Sequence, residues 1–157
     1  MDDRAASMLT LFRETHDRFR QLIGGLDSHT LTYVPAPEAN SISTLVRHTL
    51  ISEASMLGRL AGRPIERDYS RDFVNPPTTD AELLRQLDDA DRRLEELRPL
   101  IGREALEARW PRPVDRLITG EEWLVHHYGH AREHIAHAEL TLQLLEARRT
   151  PHPDPSA

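Results

Sequence analysis

Hydrophobic residues recur every three or four positions in four segments of the chain, which is the spacing of a helix with one buried face. The predicted helices span about residues 3–26, 43–62, 79–98 and 119–148. The last two open with the Thr-x-x-Glu pattern of a capping box, and a serine precedes the second. Pro64 follows the second helix, where a proline ends helical hydrogen bonding. The pattern therefore predicts four long helices.

The segments between these helices contain several prolines and show no alternation typical of a strand. Residues 64–78 and 99–118 form two long connections, and the second contains Trp110. We therefore predict an all-α four-helix bundle over residues 1–149, with long connections between helices 2 and 3 and between helices 3 and 4. The proline-rich tail over residues 150–157 is predicted to be disordered.

The composition narrows the chemistry that such a bundle can perform. The 157 residues include no cysteine, and all 20 basic residues are arginine. A thiolate metal site, a cysteine nucleophile and a Schiff-base lysine are therefore excluded. The formal charge of −6 argues against a nucleic-acid partner, because phosphate binding needs concentrated positive charge. The acidic start does not resemble a signal peptide, and no apolar run approaches the ~20 residues of a membrane span. We expect a cytoplasmic protein without a membrane partner.

The fourth predicted helix contains the stretch HHYGHAREHIAH, which holds five of the nine histidines of the chain. These are His126, His127, His130, His134 and His137. At about 100° per residue, the five imidazoles fall in one arc of about 100°. The arc continues into Trp123 before the cluster and Thr141, Leu144 and Leu145 after it, so we expect it to face the core. Imidazoles on an inward face need hydrogen-bond partners or a bound ligand.

Two of these histidines have the spacing of metal ligands. His130 and His134 are four residues apart, which directs two ring nitrogens from one helix toward a common point. Such a pair suits zinc, nickel or iron, but it needs a third ligand from another element. The second predicted helix has a single histidine, His48, whose face also carries small serine and threonine residues. Three imidazoles would leave a metal at least one open position, as catalytic sites do.

Two motifs resemble those of a known family. NSISTLVRHTLISEASML is similar to the second helix of the DinB-like superfamily of metal-binding four-helix bundles, and HHYGHAREHIAHAELTLQLLE is similar to its last helix. The resemblance implies that the metal ligands are His48, His130 and His134. It also places His137 and Glu139 at the positions of a following His and Asp in the family's motif. The sequence departs from that motif at Ala136, where the family often has Gly, and in having Glu where the family has Asp.

The resemblance implies a metal-dependent enzyme that acts on a small-molecule substrate. Members of the family include S-transferases and isomerases that use a low-molecular-weight thiol such as mycothiol, bacillithiol or glutathione, and others are described as hydrolases. One divalent metal is expected, with Zn or Ni as the first candidates and Fe or Co as further ones. A low-molecular-weight thiol is the cofactor that the resemblance suggests. The resemblance also implies a dimeric protein, so we expect a homodimer.

Three other interpretations of the sequence are weighed against this one. The string from His130 to His134 matches the H-x-x-E-H motif of a metalloprotease family, with Glu133 as general base, but too few residues follow it to supply the acidic third ligand. A di-iron carboxylate bundle needs Glu-x-x-His pairs, which the chain lacks. No residue pattern argues against a stress-response bundle that binds metal without catalysis. The roles of His126, His127, Glu133 and His137 stay open between lining a pocket and lying at the surface.

Overall fold

The structure is a computed structural model that describes residues 2–66, 73–112 and 116–149. In chain order the elements are α1 (Asp3–Ile23), α2 (Ser28–Thr32), α3 (Ile42–Leu60), α4 (Asp80–Leu97), a 3₁₀ turn (Arg98–Leu100), α5 (Arg103–Glu107), β1 (Arg109–Arg112), β2 (Arg116–Thr119) and α6 (Gly120–Arg149). The four long helices, α1, α3, α4 and α6, correspond to the four predicted segments. The prediction of a four-helix bundle with two long connections is confirmed.

The long helices begin at residues that cap them. The side chains of Asp2, Ser41 and Thr79 each accept a hydrogen bond from a backbone N–H in the first turn of α1, α3 and α4 respectively. At α6 the capping box is complete. The Thr119 hydroxyl accepts from the Glu122 N–H at 3.1 Å, and the Glu122 carboxylate accepts from the Thr119 N–H at 2.7 Å. These bonds fix where the histidine-bearing helix starts.

The bundle core consists of two apolar clusters separated along the helix axes. In cross-section, α1 and α3 each pack between α4 and α6. The first apolar cluster includes Phe19, Ile23, Leu45, Leu50, Leu83, Leu87, Ile135 and Ala138. The second apolar cluster includes Leu9, Phe12, Met56, Leu57, Leu94, Leu97, Leu106 and Leu124. Each long helix therefore contributes to both clusters and crosses a layer between them.

The prediction that the chain has no strand is wrong. Before α6, β1 pairs with β2 in an antiparallel hairpin that places Trp110 opposite Ile118 and Pro111 opposite Leu117. Proline removes a ladder donor, so its presence argued against a strand, but both strands of a two-stranded ribbon are edges and tolerate it. Trp110 donates its indole N–H to the Ala105 carbonyl at 3.0 Å and packs against the second apolar cluster. The hairpin is thereby anchored beside the start of α6.

The five-residue helices α2 and α5 were also missed, because one turn of helix leaves little periodicity to detect. The predicted disordered tail, residues 150–157, lies outside the described residues, as do residues 67–72 of the connection before α4. Within the described ranges, no helix is both long and apolar enough to cross a membrane.

Candidate metal centre

Three histidines from two helices meet at one side of the bundle. His48 comes from α3, and His130 and His134 come from α6. The Nε2 atom of His130 lies 3.2 Å from Nε2 of His48 and 3.1 Å from Nε2 of His134. One nitrogen from each of the three side chains lies within 4.8 Å of the other two. All three residues are partly buried. The three ligands predicted from the sequence are therefore brought together, and we call them the histidine triad.

The spacing of these nitrogens fits a metal ion. Two nitrogens bound to zinc at ~2.0–2.1 Å with tetrahedral angles are about 3.3 Å apart. The observed separations of 3.2 Å and 3.1 Å are close to that value. All three donors are imidazoles, a ligand type that suits Zn, Ni, Fe or Cu. The residues present thus fit one divalent metal.

His134 is held in the form that a metal requires. Burial, together with the neighbouring His130 and His48, lowers the pKa of His134 to about 3. His134 is therefore neutral near pH 7, and a lone pair on its ring is available. The Nδ1 atom of His134 is buried, and no described residue offers it a hydrogen bond. Metal-ligating imidazoles usually donate their other N–H to an outer partner, and for His134 the described part of the chain does not supply one.

Packing against the connection before α4 positions His48. Its ring stacks on Phe73 with centroids 4.8 Å apart and planes inclined by 28°. The neighbouring Arg47 donates to the carbonyl oxygens of Val74 and Asn75, at 2.6 Å and 2.8 Å. Arg47 therefore ties this connection to α3 beside the first ligand. The sequence showed Arg47 next to His48 but did not reveal this role.

The expectation that all five histidines of α6 face the core is wrong. His127 is buried and His130 and His134 are partly buried, but His126 and His137 are exposed. The buried residues of α6 are centred about 70° around the helix from the middle of the histidine arc. The arc was predicted to face the core because apolar residues continue it, but one of these, Leu144, is 43% exposed. The triad consequently lies at the edge of the core, with one side toward solvent.

On its solvent side, His130 borders an open groove along α6. His126, Gly129, His130 and Glu133 line an open cavity of about 500 Å³. Glu133 is exposed at its rim. Glu139, one turn beyond the triad, instead forms an ion pair with Arg18 of α1 at 2.5 Å. Of the polar residues flanking the ligands, His126 and Glu133 are thus the two that border the cavity beside His130.

Sequence reasoning missed a second polar group in the layer between the two apolar clusters. His16 of α1 is fully buried and lies with Nδ1 2.8 Å from Asp91 of α4 and Nε2 3.1 Å from Glu53 of α3. The same Glu53 oxygen is 3.7 Å from Nε2 of His127. We call these four residues the buried polar layer. The available signal was a histidine between Phe12 and Phe19 at core spacing.

Groups of opposite charge face one another in this layer. Burial alone would lower the pKa of His16, but the Glu53 carboxylate and the hydrogen bond to Asp91 raise it to about 9. Burial opposes ionisation of Glu53, yet the charge on His16 keeps the pKa of that carboxyl well below its usual range. Near pH 7, His16 is therefore a cation that donates to two carboxylates. Such a histidine has no lone pair for a metal.

Comparison with known proteins identifies the family and agrees with the fold. No curated protein sequence matches the chain. Among solved structures, the chain is similar to YfiT from Bacillus subtilis, described as a probable metal-dependent hydrolase with an unusual four-helix bundle topology. The identity is 14% and the TM-score 0.70, over 93% of this chain and 90% of YfiT, so the likeness shows the fold. The family model of the DinB superfamily matches residues 11–138, and the chain therefore belongs to the DinB superfamily.

Proposed function

We propose that the chain is a metal-dependent enzyme that acts on small molecules and holds one divalent metal through His48, His130 and His134. The observation that carries the proposal is the cluster of three Nε2 atoms, with separations of 3.1 Å and 3.2 Å, beside an open groove. A closed structural site would use four protein ligands, whereas three ligands leave a position for a reactant. Zn and Ni are the first candidates for the metal, and Fe or Co are also compatible with imidazole ligands.

The chain's own residues set limits on the chemistry. Without cysteine or lysine, the chain does not provide a thiolate or an amine nucleophile. The attacking group therefore comes from water, from a cofactor or from an oxygen side chain. When bound, a divalent metal in such a site supplies Lewis-acid activation of water or of a thiol. His126 and Glu133, which border the groove, are within the cavity where a proton could be accepted or donated.

Hydrolysis and thiol-dependent S-transfer are the two activity types that this site suits. Hydrolysis is supported by the fold likeness to YfiT, itself described as a probable metal-dependent hydrolase. Transfer with a low-molecular-weight thiol is supported by the absence of cysteine, since the sulfur nucleophile would then be brought in as a cofactor. The alternative is a stress-response bundle that binds the metal without catalysis.

A screen of metal-loaded protein separates these alternatives. Protein loaded with Zn²⁺ or Ni²⁺ is incubated with ester and amide substrates, and separately with small thiols plus electrophiles. We expect turnover with one of the two panels and its loss in His134→Ala. His137→Ala is the matched control, because His137 lies one turn further along α6 and is exposed. Absence of turnover across both panels, with the metal bound, would favour the non-catalytic alternative.

We further propose a cytoplasmic homodimer. Leu140 and Leu144 are 50% and 43% exposed, and their spacing of one turn places them together on the outer side of α6. Burying two such leucines against a second copy would remove apolar area from water. Light scattering should give about twice the chain mass of 18.0 kDa, and Leu140→Glu should restore the monomer. A single species of one chain mass at micromolar concentration would reject the dimer.

A further inference from the structure

The buried polar layer links the two helices that carry the triad. Glu53 lies on α3 five residues after His48, and His127 lies on α6 three residues before His130. With 1.5 Å of rise per residue, Glu53 is about 7.5 Å along α3 from the first ligand. As α3 advances from His48 to Glu53, its contacts on α6 move back from His130 to His127, so the two helices are antiparallel here. One carboxylate therefore lies between both ligand-bearing helices.

Glu53 is held on the opposite side by the rest of the layer. Its carboxylate accepts a hydrogen bond from His16 of α1 at 3.1 Å, and His16 donates to Asp91 of α4 at 2.8 Å. His16 comes from α1 and Glu53 from α3. These two helices lie diagonally across the bundle, so the two side chains meet near its axis. The exposed fractions of Glu53 and His16 are 2% and 0%. Such a carboxylate has little freedom to move.

His127 lies between Glu53 and the triad residue His130. Its ring is 5% exposed and packs edge-on against Phe12, with centroids 5.3 Å apart. On the other side its centroid is 6.1 Å from that of His130. Its Nε2 atom is buried and lies 3.7 Å from the Glu53 carboxylate, beyond hydrogen-bond distance, and among the described residues it has no hydrogen-bond partner. Glu53 is therefore the charged group that faces His127, and His130 packs beside the His127 ring.

Burying a carboxylate in an apolar bundle costs desolvation free energy, which an aliphatic side chain at the same position would not. The layer interrupts two apolar clusters at a level where each long helix could carry an aliphatic residue. Replacing a buried ion pair by apolar residues is often neutral or stabilising, so stability alone does not account for it. What a directional polar contact provides, and an apolar one does not, is a fixed register between helices.

We propose that Glu53 is a positioning residue for the metal centre: through His127 it fixes the register of α6 against α3, and so the distance of His130 and His134 from His48. The proposal rests on the proposed function, because it assumes that the triad binds a metal. Glu53 itself does not touch the metal. Its effect is on how well the three nitrogens are placed.

The first test measures Zn²⁺ affinity by competition with a chromophoric chelator. Glu53→Gln keeps the side-chain shape and removes the charge that holds His16 and His127. We expect Zn²⁺ to bind ~10–100-fold more weakly, which is the size of effect that outer-shell partners of metal ligands have. The visible absorption of the Co²⁺-loaded variant should also change, because its bands depend on ligand geometry. His127→Gln, which leaves the His16–Glu53 pair in place, should change both readouts in the same direction and by less.

Two control variants separate positioning from a general structural role. Glu14→Gln makes the same chemical change at an exposed position of α1 and should leave both readouts unaltered. Leu9→Ala removes packing from the second apolar cluster, away from the polar layer. It should lower the melting temperature of the metal-free protein without weakening Zn²⁺ binding or changing the Co²⁺ spectrum. If Glu53 were only structural, Glu53→Gln would behave like Leu9→Ala.

The outcomes that overturn the proposal are distinct. A folded Glu53→Gln variant with a Zn²⁺ Kd within about twofold of wild type and an unchanged Co²⁺ spectrum refutes it. If circular dichroism shows that Glu53→Gln does not fold, His127→Gln decides by the same two readouts. If wild type itself fails to bind Zn²⁺, the proposed function falls, and this proposal with it. Wild-type binding with unaffected variants overturns the positioning role alone.

Discussion

The histidine triad and the buried polar layer both take an imidazole from α6, only three residues apart, yet the two imidazoles have different surroundings. His130 faces two other imidazoles at 3.1–3.2 Å at the edge of the core. His127 lies inside the core and faces the Glu53 carboxylate at 3.7 Å. The triad contains no carboxylate, whereas the layer has two, Glu53 and Asp91, around the His16 ring. The same residue type is thus placed in two opposite electrostatic settings.

The difference shows what decides the chemistry of a histidine in this bundle. Beside carboxylates, His16 gains a proton and its pKa rises to about 9, so both ring nitrogens are donors. Burial, together with the neighbouring His130 and His48, lowers the pKa of His134 to about 3, so a nitrogen is free to donate electrons to a metal. Burial disfavours the proton on both rings, and at His16 the adjacent carboxylates overcome that effect.

The largest effect is expected from removing one ligand of the triad. His48→Ala should reduce the metal content from about one ion per chain to a trace, because two imidazoles from one helix do not hold a divalent ion against dialysis. Elemental mass spectrometry of purified protein measures it. His137→Ala, which changes an exposed histidine of α6, should keep the wild-type metal content. Equal metal in wild type and His48→Ala would show that the ion binds elsewhere.

Much of this site could be predicted from the sequence, and the reason is local. His130 and His134 lie four residues apart on one helix, so helical periodicity paired them, and the resemblance to the DinB-like motifs added His48, the single histidine of another helix. The buried polar layer was not predictable in this way. His16, Glu53 and Asp91 lie on three different helices, and their contact depends on the packing order of α1, α3 and α4. Periodicity places a residue on a face but does not say which face of another helix lies opposite.

In the fold, too, some local features could be predicted from the sequence and others could not. The capping box of Thr119 and Glu122 is a pattern within four residues, and the structure has both of its hydrogen bonds. The hairpin of β1 and β2 is also local, but Pro111 concealed it, because proline argues against a strand in any wider sheet. The inward direction assigned to the histidine arc failed because Leu144, which was taken as a core residue, is exposed. An exposed leucine is common and gives weak evidence about orientation.

Breaking the buried polar layer should have the next largest effect, and on stability. His16→Gln removes the cation from between Glu53 and Asp91, and leaves Glu53 as an ionised group in the core. Removing one partner of a buried ion pair typically costs about 3–5 kcal/mol, and we expect the free energy of unfolding in urea to fall by this order. His29→Gln, an exposed histidine of α2, should change it by less than about 0.5 kcal/mol. A loss for His16→Gln as small as that of the control would mean that the layer is not charged.

The layer should also make stability depend on pH on the alkaline side. The pKa of His16 is raised to about 9, above the ~6.5 of an unfolded chain. The stabilisation is therefore fully present below about pH 6.5 and is lost as pH rises through about 9, with a total of about 3 kcal/mol. The groups that face His16 are Glu53, Asp91 and, beyond Glu53, His127. Both carboxylates stay ionised over this range.

The composition makes this pH window unusually clear to measure. With no lysine or cysteine in the chain, little besides the terminal amine and the histidines titrates between pH 6.5 and about 9.5. Urea unfolding of metal-free protein at several pH values should give a falling free energy for wild type. His16→Gln should be less stable but nearly independent of pH across the window. Parallel slopes for the two proteins would assign the dependence to a group other than His16.

The smallest predicted effect concerns the open face of the triad, and it has the opposite sign. A Cβ added at Gly129 meets no atom within 4 Å, whereas one added at Gly120 would lie 2.2 Å from the carbonyl oxygen of Ala105. In the interior of a helix, alanine is favoured over glycine by about 0.8–1.0 kcal/mol. Gly129→Ala should therefore raise the free energy of unfolding by about 0.5–1 kcal/mol and leave Zn²⁺ affinity unchanged. Gly120→Ala, in the same helix, should lower it, because backbone must move to admit the methyl group. A destabilised Gly129→Ala would show that the groove beside His130 is filled by another part of the chain, and that the triad is as closed as the buried polar layer.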